Sequence, residues 1–254
     1  MSRPSRRRAS AAILIKDGKS SICGDERPAT RHQPRFMSII IMVGPQGSGK
    51  GTQADLLAQR LKIPHINMGG LLRAEVAAGS DLGRQISAIM AAGELVPTDV
   101  ASQVLKRRLE NDDAQGGVVF DGFPRNMEQD RSLEKILSQL GKKIEHVIYL
   151  NLPDAAALER LAGRRVCTNH ACETNYHIEF NPPRVPDKCD RCGSPLVQRH
   201  DDTPEVINKR LAVYHAETKP LIELYSQRGL VREIDASQSI AKVADDIKQA
   251  TATW

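Results

Sequence analysis

The chain has 254 residues, of which 40% are hydrophobic, 26% are charged and 4% are aromatic. This composition is sufficient for one globular core and excludes a disordered or fibrous chain. No uninterrupted apolar run reaches the ~18 residues of a membrane-spanning helix, so the sequence predicts a soluble protein without a membrane span.

The formal net charge of +5 comes from the N-terminal part of the chain. Residues 1–36 hold nine basic and three acidic side chains and are rich in Arg, Ser and Pro. The remainder is close to neutral and offers little basic surface for nucleic acid. We predict that residues 1–36 are an extension, either a disordered tail, a transit peptide or the product of an upstream start codon. Residues 37–254 are predicted to form the folded domain.

From Ser38 onward, short β-branched runs alternate with helical patterns, as a parallel sheet with crossover helices requires. The apolar runs do not alternate, which is typical of strands buried on both faces. The predicted strands are Ile39–Val43, Pro64–Ile66, Val118–Phe120, His146–Leu150 and Val231–Ile234. The predicted helices are Gly51–Leu61, Leu71–Ala77, Leu82–Ala91, Asp99–Asn111, Met127–Leu140, Ala155–Gly163, Pro204–Gln227 and Ala241–Ala250. The sequence therefore predicts an α/β fold with a parallel five-stranded sheet flanked by helices.

The longest predicted helix has a clear start and one interruption. Thr203 can cap its N-terminus, and Pro204 suits its first turn. Pro220 predicts a kink because proline lacks the backbone N–H and its ring meets the preceding turn.

A glycine-rich loop follows the first predicted strand and opens the first predicted helix. Its sequence is Gly44-Pro45-Gln46-Gly47-Ser48-Gly49-Lys50-Gly51-Thr52. Glycines let backbone N–H groups approach phosphate oxygens, the helix N-terminus adds positive potential, and Lys50 can reach the β- and γ-phosphates. The loop departs from the general pattern at Gly51, where Ser or Thr commonly binds Mg²⁺, and Thr52 follows one place later. The pattern predicts a nucleoside triphosphate site.

Four of the five cysteines lie in one stretch. Their spacing is Cys167-x4-Cys172-x16-Cys189-x2-Cys192, which suits tetrahedral Zn²⁺ with four thiolates. His170, inside the first pair, is an alternative ligand, and four reduced thiols without metal are a further possibility. Four protein ligands leave no open coordination position, so we predict a structural zinc that folds a module too small for its own core.

Six further motifs follow the phosphate loop in order. They are Gly69-Gly70-Leu71-Leu72-Arg73, Gly93-Glu94-Leu95-Val96, Asp121-Gly122-Phe123-Pro124-Arg125, Gly163-Arg164-Arg165, Phe180-Asn181-Pro182-Pro183 and Arg199-His200-Asp201-Asp202. With the loop's Gly-Lys-Gly-Thr sequence, they resemble the nucleoside monophosphate kinases, and most closely the long-form adenylate kinases, over residues 38 to about 250. The resemblance implies a P-loop NTPase-type fold with a small NMP-binding helical insertion at residues 67–96. It also implies a zinc-stabilised lid at residues 163–199.

The activity that the resemblance implies is reversible transfer of the terminal phosphoryl group from MgATP to AMP, giving two ADP. The acceptor phosphate is mostly dianionic near neutral pH, since its second pKa is ~6, so no general base is needed. The site should instead be rich in fixed cations that bring several negative charges together. Guanidinium groups suit phosphate oxygens through bidentate hydrogen bonds.

The resemblance implies a catalytic set of Lys50, Asp121, Arg125, Arg160, Arg164, Arg199 and Arg210. Asp121 would organise Mg²⁺, directly or through water, because it ends a buried strand of an open α/β sheet. The resemblance implies that Arg73, outside this set, and Arg125 hold the acceptor's phosphate. It assigns the ATP phosphates to Arg160 and Arg164, and the transferring group to Arg199 and Arg210. Asp201 and Asp202 would belong to an ion-pair network that secures the closed lid.

The implied nucleotide sites follow from the same motifs. The residues implied for ATP are Gly47, Ser48, Gly49, Lys50, Gly51, Thr52, Arg164, Tyr176 and Gln238. The residues implied for AMP are Met68, Arg73, Glu94, Val96, Gly122, Arg125, Gln129, Arg199 and Arg210. Three positions depart from the family: Met68 replaces a threonine near the adenine, Gly70 an aspartate and Glu94 a lysine. AMP remains the first choice, with CMP, UMP or GMP as the alternative acceptor.

Two other function classes compete with this interpretation. The cysteine module could be a nucleic-acid-binding ribbon on an ATP-binding domain, but the near-neutral domain has little basic or aromatic surface. A catalytically inactive homologue is disfavoured by the intact lysine, aspartate and arginine set. The expected partners are ATP and AMP, without nucleic acid or membrane, and the expected protein is a cytoplasmic monomer.

Overall fold

The computed structural model describes residues 38–169, 172 and 174–252. The predictions for residues 1–36 and for His170 lie outside the described residues. Eight strands are described: β1 Ser38–Val43, β2 His65–Asn67, β3 Gly117–Asp121, β4 Ile144–Asn151, β5 Arg164–Cys167, β6 Asn175–His177, β7 Leu196–Val197 and β8 Val231–Asp235.

Five of these strands form the central sheet in the order β2-β3-β1-β4-β8, and every neighbouring pair is parallel. The predicted α/β fold with a five-stranded parallel sheet is confirmed. The register places Met42 of β1 opposite Asp121 of β3, so the strand ends that carry polar residues share one edge of the sheet. Ligands of open α/β sheets bind at this carboxyl edge.

The described part of the chain contains nine α-helices: α1 Lys50–Leu61, α2 Met68–Ala77, α3 Asp81–Ala91, α4 Thr98–Leu109, α5 Met127–Gln139, α6 Asp154–Ala162, α7 Pro204–Val213, α8 Lys219–Gln227 and α9 Ile240–Ala250. Every predicted helix is present among the described residues, with ends shifted by a few positions. Side-chain caps start several of them; for example, Thr203 accepts a hydrogen bond from the Val206 N–H.

The predicted helix Pro204–Gln227 is divided by a π-helical turn at Tyr214–Thr218. Pro220 follows this turn and offers no N–H, and an extra residue in the preceding turn gives its ring room. The irregularity expected at Pro220 therefore takes the form of a π turn, and the two helices on either side are α7 and α8.

Two hydrophobic clusters lie on opposite faces of the sheet, because successive side chains of β1 point in opposite directions. Ile39 and Ile41 pack with residues of α2, α3, α4, α5 and α8. Ile40 and Met42 pack with residues of α1, α6, α7 and α9. All four side chains are fully buried or nearly so. The sheet edge that carries the phosphate loop is therefore supported from both sides.

The cysteine-bearing stretch forms a second, antiparallel sheet in the order β6-β5-β7. Its strands have two to four residues. The buried hydrophobic side chains within it are Cys167, Tyr176, Cys189 and Leu196, with Cys172 packed against them. So small a cluster supplies little hydrophobic free energy, which is consistent with a module that needs a metal. Within the described residues, no helix is both long and apolar enough to cross a membrane.

Candidate active site

The phosphate loop connects the end of β1 to the start of α1 and depends on glycine at two close approaches. Gly44 has a φ of 148°, and a Cβ there would lie 2.5 Å from the Leu150 carbonyl oxygen. A Cβ on Gly47, with a φ of 82°, would lie 2.9 Å from the Ala157 carbonyl oxygen. Gly49 precedes α1 with a φ of 86°, and no described side chain caps the helix. The first N–H groups of α1 are thus exposed to an anion.

Lys50 is folded back onto this loop. Its Nζ donates hydrogen bonds to the carbonyl oxygens of Gly44 and Pro45 at 2.8 and 2.7 Å. Burial lowers the pKa of Lys50 to about 8; the charge of Asp121 opposes this shift and those of Arg125, Arg210 and Arg164 add to it. A bound polyphosphate would add negative charge and favour the protonated amine.

Asp121, the last residue of β3, is 8% exposed and lies beside the phosphate loop. A Cβ on Gly51 would lie 3.3 Å from its Oδ2. Burial would raise the pKa of Asp121, but the nearby His65 and Lys50 outweigh burial and hold the pKa below its usual value. The carboxylate is therefore ionised and suited to organising a hydrated divalent cation.

His65, which the sequence analysis did not single out, lies between two carboxylates. Its Nδ1 is 2.6 Å from Asp55 Oδ1, and its Nε2 is 3.8 Å from Asp121 Oδ2, which is too long for a hydrogen bond. Burial lowers the pKa of His65, but Asp121 and Asp55 outweigh burial and raise the pKa from 6.5 to about 9. His65 is the first residue of β2, so no strand-end pattern in the sequence could have identified it.

Replacing His65 with glutamine should change how stability depends on pH. Because the folded pKa is above the unfolded one, the stabilising contribution is complete below about pH 6.5 and is lost as the pH rises through about 9. Urea unfolding should show His65→Gln to be less stable than the parent near pH 6, by on the order of 3 kcal/mol, and this difference should shrink near pH 9.5. A difference that is the same at both pH values would contradict this prediction.

Three arginines around the carboxyl edge share two aspartates. Arg164 donates from Nε and Nη2 to the Asp202 carboxylate at 2.8 and 2.5 Å. Arg199 makes a similar pair of bonds to Asp201 at 2.9 and 2.7 Å. Arg210 Nη1 lies 3.1 Å from Asp201 Oδ2 and 3.3 Å from Asp202 Oδ1. The cations are therefore held close together before any phosphate arrives.

The charges in this network shift each other's pKa values. Burial would raise the pKa of Asp201, but Arg199 and Arg210 outweigh burial and lower the pKa to about 2. Burial lowers the pKa of Arg210 to about 10, against the opposing charge of Asp201. Both groups are ionised at neutral pH, so the network presents fixed charges to a ligand.

Arg160 is not part of this arginine cluster. Its Nη1 donates to the carbonyl oxygen of Ala236 at 2.8 Å, and its Nη2 donates to that of Ser237 at 3.1 Å. Arg160 is only partly buried, and these contacts fix it to the loop between β8 and α9. Glu94 also has a partner that sequence reasoning missed, since Lys209 Nζ donates to its Oε1 at 2.7 Å.

Two cavities adjoin the cluster. The larger has a volume of about 1280 Å³, and every residue predicted for ATP lines it. The smaller has a volume of about 70 Å³, and every residue predicted for AMP lines it, including Met68 and Gln129. Arg73, Arg125, Arg199 and Arg210 line both. The arrangement offers two adjacent anion-binding spaces with shared cations between them.

The four clustered cysteines fit a tetrahedral zinc ion. Their sulfur atoms all lie within 4.8 Å of one another. The Cys167–Cys192 and Cys172–Cys189 Sγ distances are 3.4 and 3.7 Å. Zn–S bonds of about 2.3 Å place tetrahedral sulfurs about 3.8 Å apart, close to the observed spacing. Four thiols are also a donor set that zinc prefers.

Tyr176, predicted to contact ATP, has a contact with the thiol cluster. Its hydroxyl lies 3.6 Å from Cys189 Sγ and accepts a hydrogen bond from the Asp190 N–H at 2.8 Å. Burial would raise the pKa of Cys189, but Tyr176 and neighbouring backbone N–H groups outweigh burial and lower the pKa to about 6. The tyrosine thus connects the wall of the larger cavity to the candidate metal centre.

Comparison with known proteins identifies the family of this chain. The family model described as "Adenylate kinase" matches residues 42–230 of this chain. The chain belongs to the adenylate kinase family. The adenylate kinase of Moorella thermoacetica is 47% identical over 204 residues, which cover 80% of this chain and 93% of that protein.

Two further relatives named adenylate kinase show comparable similarity. The protein of Streptomyces griseus is 47% identical over 206 residues, covering 81% of this chain and 92% of the relative. The protein of Methanothrix thermoacetophila is 43% identical over 210 residues, which cover 83% of this chain and 96% of that protein. This adenylate kinase is an ATP:AMP phosphotransferase, and its substrates are ATP and AMP.

Proposed function

We propose that the two substrates of the phosphotransferase bind at these adjoining cavities, with ATP in the larger one and AMP at the junction, its base reaching the smaller one, whose volume of about 70 Å³ is less than a whole nucleotide needs. The observation that carries this proposal is that Arg125, Arg199 and Arg210 line both cavities. The phosphoryl group must pass between the two nucleotides, so shared cations at the junction stabilise charge where it develops. Residues 67–96 and 163–199 act as the AMP-binding insertion and the lid.

On the ATP side, the phosphate loop and Lys50 bind the polyphosphate, and Arg164 extends the cationic surface. The bonds from Lys50 Nζ to the Gly44 and Pro45 carbonyl oxygens give way to bonds with phosphate oxygens. Asp121 would hold Mg²⁺, directly or through water, near the loop. Bound Mg²⁺ neutralises phosphate charge during transfer. Arg160, tied to the loop between β8 and α9, orders the wall of the ATP site.

On the AMP side, Arg73 and Arg125 bind the acceptor phosphate, and Gln129 contacts the base. Gln129 is 3% exposed, and its Oε1 accepts the Arg125 backbone N–H at 2.9 Å. This bond fixes the amide orientation and leaves its N–H groups for the base. Met68, 2% exposed, gives the base an apolar contact in place of a hydroxyl.

Conservative arginine substitutions test this division of the site. We expect Arg73→Lys to raise the KM for AMP about 10-fold or more with little change for ATP, and Arg164→Lys to do the reverse, because lysine cannot make a bidentate phosphate contact. Steady-state kinetics with each substrate varied in turn measure this. Arg108→Lys is the control, since Arg108 pairs with Asp113 outside both cavities. Equal effects of Arg73→Lys on both KM values would contradict the division.

The metal and the setting of the enzyme are part of the same proposal. The four thiols support a structural Zn²⁺ in the lid, held by Cys167, Cys172, Cys189 and Cys192. One chain carries both nucleotide cavities, which supports a functional monomer. Free thiols and adenine nucleotide substrates support the cytoplasm as its location.

A further inference from the structure

We propose that Thr218, in the π turn between α7 and α8, is a positioning residue that fixes Arg125 for binding of the acceptor phosphate. The inference rests on the proposed role of Arg125. Thr218 is 7% exposed, and its Oγ1 donates a hydrogen bond to the Arg125 carbonyl oxygen at 2.7 Å. The two residues are 93 positions apart in the sequence, so the bond joins distant segments.

The π turn explains how this hydroxyl reaches another segment. In a regular helix, threonine commonly donates to the carbonyl four residues earlier in its own helix. Here the Lys219 N–H bonds to the Tyr214 carbonyl, five residues earlier, so the turn holds one extra residue. Pro220 cannot continue the regular hydrogen-bond pattern and favours such a widened turn. The turn thus presents Thr218 toward Arg125.

Arg125 is fixed at two further points by its own segment and by α5. Its backbone N–H donates to Gln129 Oε1 at 2.9 Å, and its Nε donates to the Gly122 carbonyl at 2.9 Å. The Gly122 position, with a φ of 78°, allows the guanidinium to lie close, since a Cβ there would be 3.1 Å from Nη2. With Thr218 on the carbonyl, both backbone polar groups of Arg125 are hydrogen-bonded.

Arg125, held in this way, lines both cavities. A bidentate phosphate contact needs the guanidinium to be held within about 0.5 Å of its productive place. Removing the Thr218 hydroxyl leaves the Arg125 carbonyl without its donor and frees this segment to shift. The expected consequence is weaker acceptor binding with unchanged ATP binding.

The test compares Thr218→Val, which keeps the shape, with Thr218→Ser, which keeps the hydroxyl. We expect Thr218→Val to raise the KM for AMP about 10-fold while the KM for ATP stays within about 2-fold, and Thr218→Ser to resemble the parent. His215→Gln is the matched control, because His215 lies in the same turn but pairs with Asp154 at 2.9 Å. Thermal unfolding of each variant is measured in parallel. Thr218→Ala replaces Thr218→Val if the latter does not fold.

Arg125→Lys separates this inference from the proposed function. If Arg125→Lys raises the KM for AMP but Thr218→Val does not, the positioning role is overturned. If Arg125→Lys leaves that KM unchanged, the proposed role of Arg125 fails first. A rise in KM for AMP that His215→Gln or Thr218→Ser shows equally would also overturn the inference, since the effect would then belong to the turn and not to the hydroxyl.

Discussion

Replacing Lys50 with methionine is expected to lower kcat by about 10²–10³-fold without unfolding the protein. Lys50 opens α1 at the phosphate loop, and its ammonium group is buried there at a cost that lowers its pKa to about 8. A bound nucleotide phosphate would offset this cost. The positive charge of Lys50 would then stabilise the negative charge that moves with the phosphoryl group from one nucleotide to the other. Methionine keeps most of the side-chain volume and removes the charge.

The measurement is ADP formation with MgATP and AMP at saturation, together with a thermal unfolding curve. Lys135→Met is the matched control, because Lys135 is exposed on α5 and lines neither cavity. We expect this control to change kcat by less than about 2-fold, since an exposed side chain away from the site contributes little. A Lys50→Met enzyme that keeps more than a tenth of the parent kcat would show that the phosphate loop does not act as described.

Removing the metal should produce the second large effect. We expect one zinc ion per chain by elemental analysis, and a loss of about 5–15 °C in Tm after chelation or in Cys189→Ser. The reason is that the second sheet buries only a few side chains, of which Cys167 and Cys189 are two. Without metal, mutually close sulfurs 3.4 to 3.7 Å apart lose the ion that would hold them together.

The same loss should raise the KM for ATP, because the metal module carries Tyr176 and Arg164 beside the larger cavity. Cys23→Ser is the thiol control; Cys23 lies outside the described residues and outside the four-cysteine spacing. An unchanged melting curve after chelation, with no zinc in the purified protein, would refute the structural metal.

The fold could be predicted largely from local patterns. The central strands β1 and β3 are buried along their whole length, and the bounds of the five core strands differ from the predicted ones by one or two residues. The phosphate loop and the cysteine pairs were visible because their residue types and spacing have direct chemical meaning. The three short lid strands gave no periodic signal, since two to four residues are too few to show alternation.

Contacts between distant segments could not be read from the sequence. The bond from Thr218 to Arg125 depends on a π turn, whereas Pro220 alone indicated only an irregularity. Arg160 matched a family motif, but its carbonyl partners lie 76 to 78 residues away. The ion pair of Glu94 with Lys209 likewise joins residues 115 positions apart. Each of these contacts depends on the tertiary packing of distant segments, which local sequence patterns do not show.

The central claim is phosphoryl transfer from MgATP to AMP at the junction of the two cavities. Its most direct test is nucleoside diphosphate formation by the purified protein with AMP, GMP, CMP and UMP offered in parallel, and with a no-acceptor control. We predict that ADP forms chiefly with AMP, which would show that Met68 supports an adenine site. Preference for another monophosphate would contradict the assignment of the base, and no transfer to any acceptor would contradict the mechanism itself.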